Sequence, residues 1–413
     1  MTIAWVLKLR VHWIYREVTI FNNQKHSNSN ENREELVLTC RNLLMPGFSG
    51  VNFWVENLAR ALSKDFQITI YCQGRNLLRS ELFLNSGVSI IALPIFTKLR
   101  RLKLPLYSAW NSALKKELLN HPKRRTVISP LSGLESYGLT QIHGLRTFTL
   151  LVTDERTHRF PNLSTSQILD YDHIDHRTSL IVSRESEILN DSGAEFLADS
   201  NEVIDHLQQL FSMKFDQRVS VLPINIMPDN CEFRKKENII FFIGRCDLRK
   251  DLSTLLNSWE MVHNFLPSWT LVVATSGGDD HETFRRVSQM AKKNYSLKLL
   301  LNVDEFQKHE YLAKSKIVVY PSRYESFGIV ALESMQHGCV TIASNIGGLP
   351  EVLDNAGVLF EVGSDVDLGI SIVSLIRDTS RMKLLMERSL KRAEHNFSDD
   401  LILERFLENF PIN

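Results

Sequence analysis

The strongest constraint on the fold is a repeated alternation of short apolar runs with helical patterns. Residues 51–64 carry apolar side chains at helical spacing between two strand-like runs, 35–40 and 68–72. Strand, loop, helix and strand in this order form a βαβ unit, which implies a parallel sheet. The alternation resumes at residues 239–244, where a continuous apolar run is typical of a strand covered on both faces. The chain is therefore predicted to be α/β.

The other predicted elements continue this pattern over both halves of the chain. In the first half the strand-like runs are residues 88–93, 126–129, 147–152, 180–182, 194–198 and 219–222. In the second half the predicted strands are residues 270–274, 297–301, 317–319 and 340–343, and the predicted helices are residues 252–263, 281–293, 304–313, 365–395 and 399–409. Ser398 is suited to be the N-cap of the last helix, because two aspartates follow it. Ligands of such sheets bind beyond the carboxyl ends of the strands.

Length and composition exclude several classes of protein. The 413 residues suffice for two domains of ordinary size. Lys+Arg and Asp+Glu are 48 each, so no global field attracts nucleic acid, and we expect no nucleic-acid partner. The five cysteines include no C-x-x-C, which favours buried free thiols in a reducing cytoplasm. The thirteen histidines show no ligand spacing, so no metal site is predicted.

The first 33 residues stand apart from this pattern. Residues 1–21 are apolar but interrupted by charges, and no run of 18 apolar residues exists that could span a bilayer. Residues 22–33 are polar and are predicted to be a linker. Three interpretations stay open for the leader: a strand or helix added to the core, an incorrectly assigned start site, or an interfacial anchor that brings a cytoplasmic protein to the inner face of the membrane.

Residues 321–353 carry the most specific chemical signal. Glu325 and Glu333 stand eight positions apart, and the glycine-containing stretch between them is predicted to open a helix. A helix N-terminus has unpaired N–H groups and partial positive charge, so it is suited to an anion. A carboxylate beside such a site must serve another group, such as a sugar hydroxyl or a cation-like centre.

This segment resembles the signature of the retaining glycosyltransferases of family four, which have the GT-B fold. The signature is P-S-x-x-E-x-F-G-x-x-x-x-E-x-M followed by G-G-x-P-E, and each of its letters is present between Pro321 and Met335 and between Gly347 and Glu351. The resemblance implies two Rossmann-like, doubly wound parallel-sheet domains that face each other across a cleft. The expected boundaries are 34–222 for an acceptor-side domain, 223–238 for a linker, 239–397 for a nucleotide-sugar domain and 398–413 for a helix that crosses back.

The resemblance also assigns roles to residues of the second half. Glu325 is expected to be the catalytic residue at the donor sugar, and Glu333 to bind the ribose. Arg245 and Lys250 match the family's G-R-x-x-x-x-K-G and are expected to hold the donor diphosphate, although Asp251 replaces the final glycine. Backbone N–H groups to phosphate and sugar oxygens are expected from Ser326, Phe327, Gly328, Ile329 and Val330. The side chain of Phe327 could equally belong to the core.

The match is looser in the first half. Gly50 and Val51 correspond to the family's G-G-V loop, with Ser49 in place of the first glycine. Gly50 is expected to let the backbone approach the diphosphate, and Val51 is placed on the acceptor or sugar side. Asp154 matches the family's His-Asp pair on that side, but Thr153 holds the position of the histidine.

The expected function is transfer of a hexosyl unit with retention at the anomeric carbon. The donor would be a nucleotide sugar such as UDP- or GDP-hexose, and the acceptor a glycan, a lipid-linked sugar or a small molecule. No cofactor and no metal are expected. One alternative is a GT-B phosphorylase or epimerase, although no lysine motif for pyridoxal phosphate is found. Another is a non-catalytic nucleotide-sugar-binding or assembly protein, which Thr153 favours and Glu325, Arg245 and Lys250 disfavour.

Overall fold

A computed structural model describes residues 33–40, 50–73, 88–93, 106–121, 126–131, 134–152, 168, 175–215, 218–226, 235–293 and 296–409. The chain divides into two compact units, the first made of residues 1–150 and 183–196 and the second of residues 151–182 and 197–413. Within the described ranges, no helix combines the length and the apolar character needed to cross a membrane. The domain boundaries that the resemblance implies stay a prediction.

The strands form two parallel sheets. Their bounds are β1 Glu35–Thr39, β2 Gln67–Gln73, β3 Val88–Leu93, β4 Thr126–Pro130, β5 Arg146–Leu151, β6 Ala194–Ala198, β7 Val219–Val221, β8 Glu237–Ile243, β9 Thr270–Thr275, β10 Leu297–Leu301, β11 Ser315–Tyr320, β12 Val340–Ser344 and β13 Val358–Phe360. The first sheet has seven strands in the order β3-β2-β1-β4-β5-β6-β7. The second has six strands in the order β10-β9-β8-β11-β12-β13. The predicted α/β class is therefore confirmed.

Helices join most of these strands. Their bounds are α1 Gly50–Leu62, α2 Leu106–Asn120, α3 His176–Leu189, α4 Asn201–Leu210, α5 Leu252–Val262, α6 His281–Lys292, α7 Glu305–Lys314, α8 Ile329–Gln336, α9 Leu349–Leu353, α10 Asp365–Arg377, α11 Thr379–Asn396 and α12 Asp399–Asn409. Two 3-10 turns, His263–Phe265 and Asp354–Ala356, follow α5 and α9. The predicted N-cap at Ser398 is confirmed, because its Oγ accepts a hydrogen bond of 3.3 Å from the N–H of Leu401.

Strand β8 shows why a continuous apolar run suits this position. Alternate residues of a strand point to opposite faces of the sheet. Ile240 and Phe242 pack into a large core with Trp259 of α5, whereas Ile239 and Phe241 pack into a second core on the other face. Both faces of β8 are thus covered from Ile239 onward, which agrees with the uninterrupted apolar run of residues 239–243.

The prediction of a strand at residues 180–182 is wrong, because this segment lies inside α3. The buried positions of α3 include Thr178, Glu185 and Ile188, which recur at helical spacing. Asp175 accepts hydrogen bonds from the backbone N–H and the hydroxyl of Thr178, at 3.1 and 2.7 Å, which is an N-cap arrangement. Three apolar residues in a row do not distinguish a strand from the buried part of a helix.

The cysteines within the described ranges agree with the prediction of reduced, buried thiols. Cys40, Cys72, Cys246 and Cys339 are free and buried, and Cys231 lies outside the described residues. Burial raises the pKa of Cys72 to about 12 and that of Cys246 to about 11, so neither is an activated nucleophile.

Candidate functional site

The second sheet brings three loops together at its carboxyl edge. Strands β8, β11 and β12 are neighbours in this sheet and run parallel. The loops that follow them therefore begin at the same edge. These loops contain Arg245 and Lys250 after β8, Glu325 after β11, and Gly347 and Gly348 after β12.

Asp247 organises the loop after β8. Its Oδ1 accepts a hydrogen bond of 3.1 Å from the backbone N–H of Lys250, and its Oδ2 lies 2.6 Å from Arg245 Nη2 and 3.6 Å from Arg249 Nη2. The Asp247 side chain is buried, whereas the side chain of Arg245 is 57% exposed. The Arg245 side chain is thus largely exposed, while its guanidinium is held by Asp247.

Asp251 explains the departure from the family's final glycine. Its φ of 43° lies in the left-handed region, where glycine is favoured and aspartate is among the better tolerated residues. Its carboxylate accepts a hydrogen bond of 2.7 Å from the hydroxyl of Thr254 at the start of α5, and pairs with Arg323 Nε at 2.9 Å. The aspartate thus adopts a left-handed conformation and caps α5.

Lys250 is the central cation of the site. Its Nζ forms an ion pair with Glu325 Oε1 and donates a hydrogen bond of 2.9 Å to Tyr320 Oη. Burial alone would lower the pKa of Lys250, but Glu325 and Tyr320 outweigh it and hold the pKa above its usual value. Lys250 therefore stays charged. The same burial, together with the Glu325 carboxylate, raises the pKa of Tyr320.

The backbone of Glu325 is held by the two glycines that follow β12. The N–H of Gly348 donates to the carbonyl oxygen of Glu325 at 3.0 Å. Gly347 has φ +57°, and a Cβ on it would lie 1.8 Å from that same oxygen. Only glycine allows this approach. The Glu325 carboxylate is fixed in turn by Ser322, whose hydroxyl donates to Oε1 at 3.0 Å.

The segment between the two glutamates opens α8, as predicted. Gly328 is the N-cap with φ 99°, and Ile329 and Val330 lie in the first turn, whose N–H groups have no acceptor within the helix. Phe327 is buried and meets the ring of Phe397 edge-on at 5.8 Å, so its side chain belongs to the core. The carbonyl oxygen of Ser326 accepts a hydrogen bond of 2.7 Å from Ser200 Oγ.

Glu333 lies inside α8, but it is not an exposed helix residue. It is 4% exposed, and its Oε1 accepts a hydrogen bond of 2.8 Å from Nζ of Lys308 on α7. Glu305 and His309 of α7 lie close by, and with Glu333 they offer three ligand atoms within 4.8 Å of one another. Among the described residues this is the group that could hold a metal ion, although the Lys308 ammonium already contacts both carboxylates.

The third carboxylate of the motif, Glu351, caps a helix. Its Oε1 accepts from the N–H of Glu202 at 2.8 Å, and its Oε2 accepts from the backbone and side-chain N–H groups of Asn201 at 3.0 and 2.9 Å. All three residues belong to the second unit. A carboxylate at the start of α4 is favoured by the helix dipole, so Glu351 has a structural role that its place in the motif did not indicate.

The remaining candidates belong to the first half of the chain. Gly50 begins α1 and is exposed, and Val51 is half-buried. Asp154 and Thr153 lie outside the described residues. The roles that the resemblance implies for these residues stay predictions.

Sequence reasoning missed several residues that contact the predicted ones. Tyr320 and Ser322 lie beside Glu325 in the chain, and the P-S letters of the motif were the available signal for the serine. Asp247 sits between Arg245 and Lys250 in sequence and could have been proposed as their anchor. Lys308 gave no signal, because it lies 25 positions from Glu333 on another helix.

Comparison with known proteins adds to this geometry. The family model described as "Glycosyl transferases group 1" matches residues 225–392. O-antigen chain mannosyltransferase B of Escherichia coli is 29% identical over 160 residues, which are 37% of this chain and 40% of the relative. The matched stretches span 32 to 40% of the length of such curated relatives, well under half.

Two solved structures resemble nearly the whole chain. Sucrose-phosphate synthase from Thermosynechococcus elongatus has a TM-score of 0.70 and 16% identity over 91% of this chain and 98% of that one. HepE of Anabaena, in complex with UDP and glucose, has a TM-score of 0.67 and 13% identity over 91% of this chain and 99% of that one. At these identities the likeness shows the fold alone, and it confirms the predicted GT-B fold with two Rossmann-like sheets.

Proposed function

We propose that this protein transfers a hexosyl unit from a nucleoside diphosphate sugar to an acceptor hydroxyl, with retention at the anomeric carbon. The match of residues 225–392 to the family model for glycosyl transferases group 1 supports this proposal. One observation carries the proposal: the Lys250 ammonium and the Glu325 carboxylate meet at the carboxyl edge of the second sheet. A cation suited to a diphosphate and an anion suited to an electron-poor sugar carbon thus lie side by side where such sheets bind ligands.

The diphosphate takes its place beside Lys250 and Arg245. When the bond between the anomeric carbon and the diphosphate breaks, the leaving oxygens gain negative charge. Fixed cations stabilise this charge without reorganising during the reaction. The loop after β8 is held by Asp247, which supports such a preorganised arrangement. Because these cations supply the stabilisation, we propose that transfer needs no divalent metal.

The donor sugar takes its place at Glu325 and the first turn of α8. The acceptor oxygen attacks the anomeric carbon on the face from which the diphosphate departs, and the acceptor proton passes to a diphosphate oxygen. Backbone N–H groups between Ser326 and Val330 face the phosphate and sugar oxygens, and Glu333 accepts hydrogen bonds from the ribose. The negative charge of Glu325 stabilises the electron-poor carbon as it forms.

For the acceptor, we propose a glycan or a lipid-linked sugar. The support is the curated relative named for mannosyl transfer to an O-antigen chain. A cytoplasmic protein with this acceptor would work at the inner face of the membrane.

A nucleotide-sugar panel tests the proposal. The purified chain is incubated with UDP-, GDP- and ADP-hexoses and with glycan, lipid-linked and small-molecule acceptors, with and without EDTA. NMR of the product gives the anomeric configuration. We expect one donor to be turned over with retention and at the same rate in EDTA. An inverted product would overturn the mechanism, and tight donor binding without hydrolysis or transfer would indicate the non-catalytic alternative.

A further inference from the structure

Lys308 is a buried lysine outside the predicted site. It lies on α7 and is 6% exposed. Lysine is almost never buried unless it is paired, because removing the ammonium from water is costly. A lysine in this position therefore needs a permanent anionic partner.

Two carboxylates supply that partner. Lys308 Nζ lies 2.8 Å from Glu333 Oε1 on α8 and 2.6 Å from Glu305 Oε2 on its own helix. Burial alone would lower the pKa of Lys308, but Glu333 and Glu305 outweigh it, so the pKa lies above its usual value. The ammonium is thus a fixed counter-ion.

The two oxygens of Glu333 differ in their contacts. Oε1 accepts from Lys308, whereas Oε2 is buried and has no hydrogen-bond partner within the part of the chain that the structure describes. A buried carboxylate oxygen without a donor is unfavourable. Oε1 is therefore held by Lys308, and Oε2 is available to accept a hydrogen bond from a ligand.

A metal ion is the competing occupant of this cluster, and the contacts disfavour it. Glu305, His309 and Glu333 are close enough to share an ion. However, the ammonium already bonds both carboxylates, and His309 Nδ1 lies 2.9 Å from His337 Nε2. A divalent ion would have to displace Lys308 and repel its charge.

We propose that Lys308 is a positioning residue for ribose recognition, which holds Glu333 Oε1 so that Oε2 accepts the ribose hydroxyls of the donor nucleotide. This rests on the proposed function, in which Glu333 binds the ribose. Without Lys308 the buried carboxylate would lose the cation that fixes Oε1. A loosely held carboxylate is a poorer acceptor for two hydroxyls.

The test compares a nucleotide with and without those hydroxyls. UDP, GDP and ADP are titrated calorimetrically, and the tightest binder is compared with its 2′,3′-dideoxy analogue. In Lys308→Met we expect the preference for the ribonucleotide to fall by about tenfold, the lower end of the loss that removal of a charged hydrogen bond causes. At saturating donor we expect kcat to change little, because only donor binding is affected.

Lys314→Met is the matched control. Lys314 lies on the same helix and pairs with Glu310, one turn away on α7. This variant should keep the full preference for the ribonucleotide. Lys308→Arg, which retains the charge, should restore most of it.

A double variant covers the case in which Lys308→Met does not fold. In Glu333→Gln the carboxylate charge is absent, so Lys308→Met added to it should cause no further loss of ribose preference. A further loss of ribose preference in the double variant, or an unchanged preference in Lys308→Met alone, would overturn the inference.

If the unmodified chain binds none of the three nucleotides, the proposed function itself fails. Zn²⁺ binding that Lys308→Met leaves intact and His309→Ala abolishes would show that the cluster is a metal site.

Discussion

Replacing Glu325 by glutamine separates binding from transfer. In the structure Glu325 Oε1 pairs with Lys250 and accepts from Ser322. Glutamine keeps the size and an accepting oxygen, so both contacts persist, but the negative charge is lost. Because the proposed role of that charge is mainly in the transition state, we expect transfer at saturating donor to fall by about 10²–10³.

Binding of the diphosphate should change in the opposite direction. The side chains of Lys250 and Glu325 are 20% and 14% exposed, so their ion pair is largely shielded from water. A hydrogen bond to a charged partner contributes roughly 1.5–3 kcal/mol and a neutral one roughly 0.5–1.5 kcal/mol. In Glu325→Gln the side chain at position 325 therefore competes less strongly for Lys250, by about 1–1.5 kcal/mol. The diphosphate, which needs the same ammonium, should bind up to about tenfold more tightly.

Calorimetric titration of UDP, GDP and ADP and single-turnover transfer are measured on the same preparation. Glu310→Gln is the control, because Glu310 pairs with Lys314 on α7 in a comparable ion pair that does not involve the site. This control should leave both quantities unchanged. If Glu325→Gln weakens nucleotide binding while transfer at saturating donor stays normal, Glu325 is a binding residue only and the reasoning is refuted.

Three further outcomes follow from the same contacts. Arg245→Ala and Lys250→Ala should each lower kcat/KM about 10- to 150-fold, since each loses a charged contact of roughly 1.5–3 kcal/mol, and circular dichroism should show an intact fold. Gly347→Ala should destabilise more than Gly144→Ala in urea unfolding: both glycines have positive φ, but only at Gly347 does a Cβ meet backbone, 1.8 Å from an oxygen. Because the pKa of Lys250 is raised on folding, the charged lysine contributes fully to the free energy of unfolding below the unfolded pKa of 10.5. This contribution is lost as the pH rises from 10.5 through the folded pKa. In a base titration, the unfolding free energies of wild type and Lys250→Met should therefore begin to converge above pH 10.5.

Local patterns were sufficient to predict most of the fold. The last helix, Asp399–Asn409, was predicted with its observed bounds because Ser398 and the acidic first turn mark its start. Strand β8 was evident because a run covered on both faces has no polar interruption. The error at residues 180–182 has the same origin, since a short apolar run carries no period of its own.

The site was predictable where chemistry and chain order coincide. Glu325 and Lys250 each follow a strand directly, and β8 and β11 are neighbours, so a parallel sheet brings both loops to one edge. The partner of Glu333 was not predictable, because Lys308 reaches it from another helix by tertiary packing. The hydrogen bonds of Glu351 to α4 span about 150 positions, and no local pattern reports a contact at that distance.

The motif letters divide into two physical kinds. Gly347 and Gly348 are required by the backbone, because a side chain there would enter the peptide of Glu325 or Ser326. Asp251, in place of the family's final glycine, also has a left-handed backbone, with φ 43°, and its carboxylate caps α5 and pairs with Arg323. These contacts predict a role of Asp251 in stability. Glu325 and Lys250 are of the other kind: their charged atoms meet each other where the reacting groups are proposed to lie, so we expect substitution there to change the reaction itself.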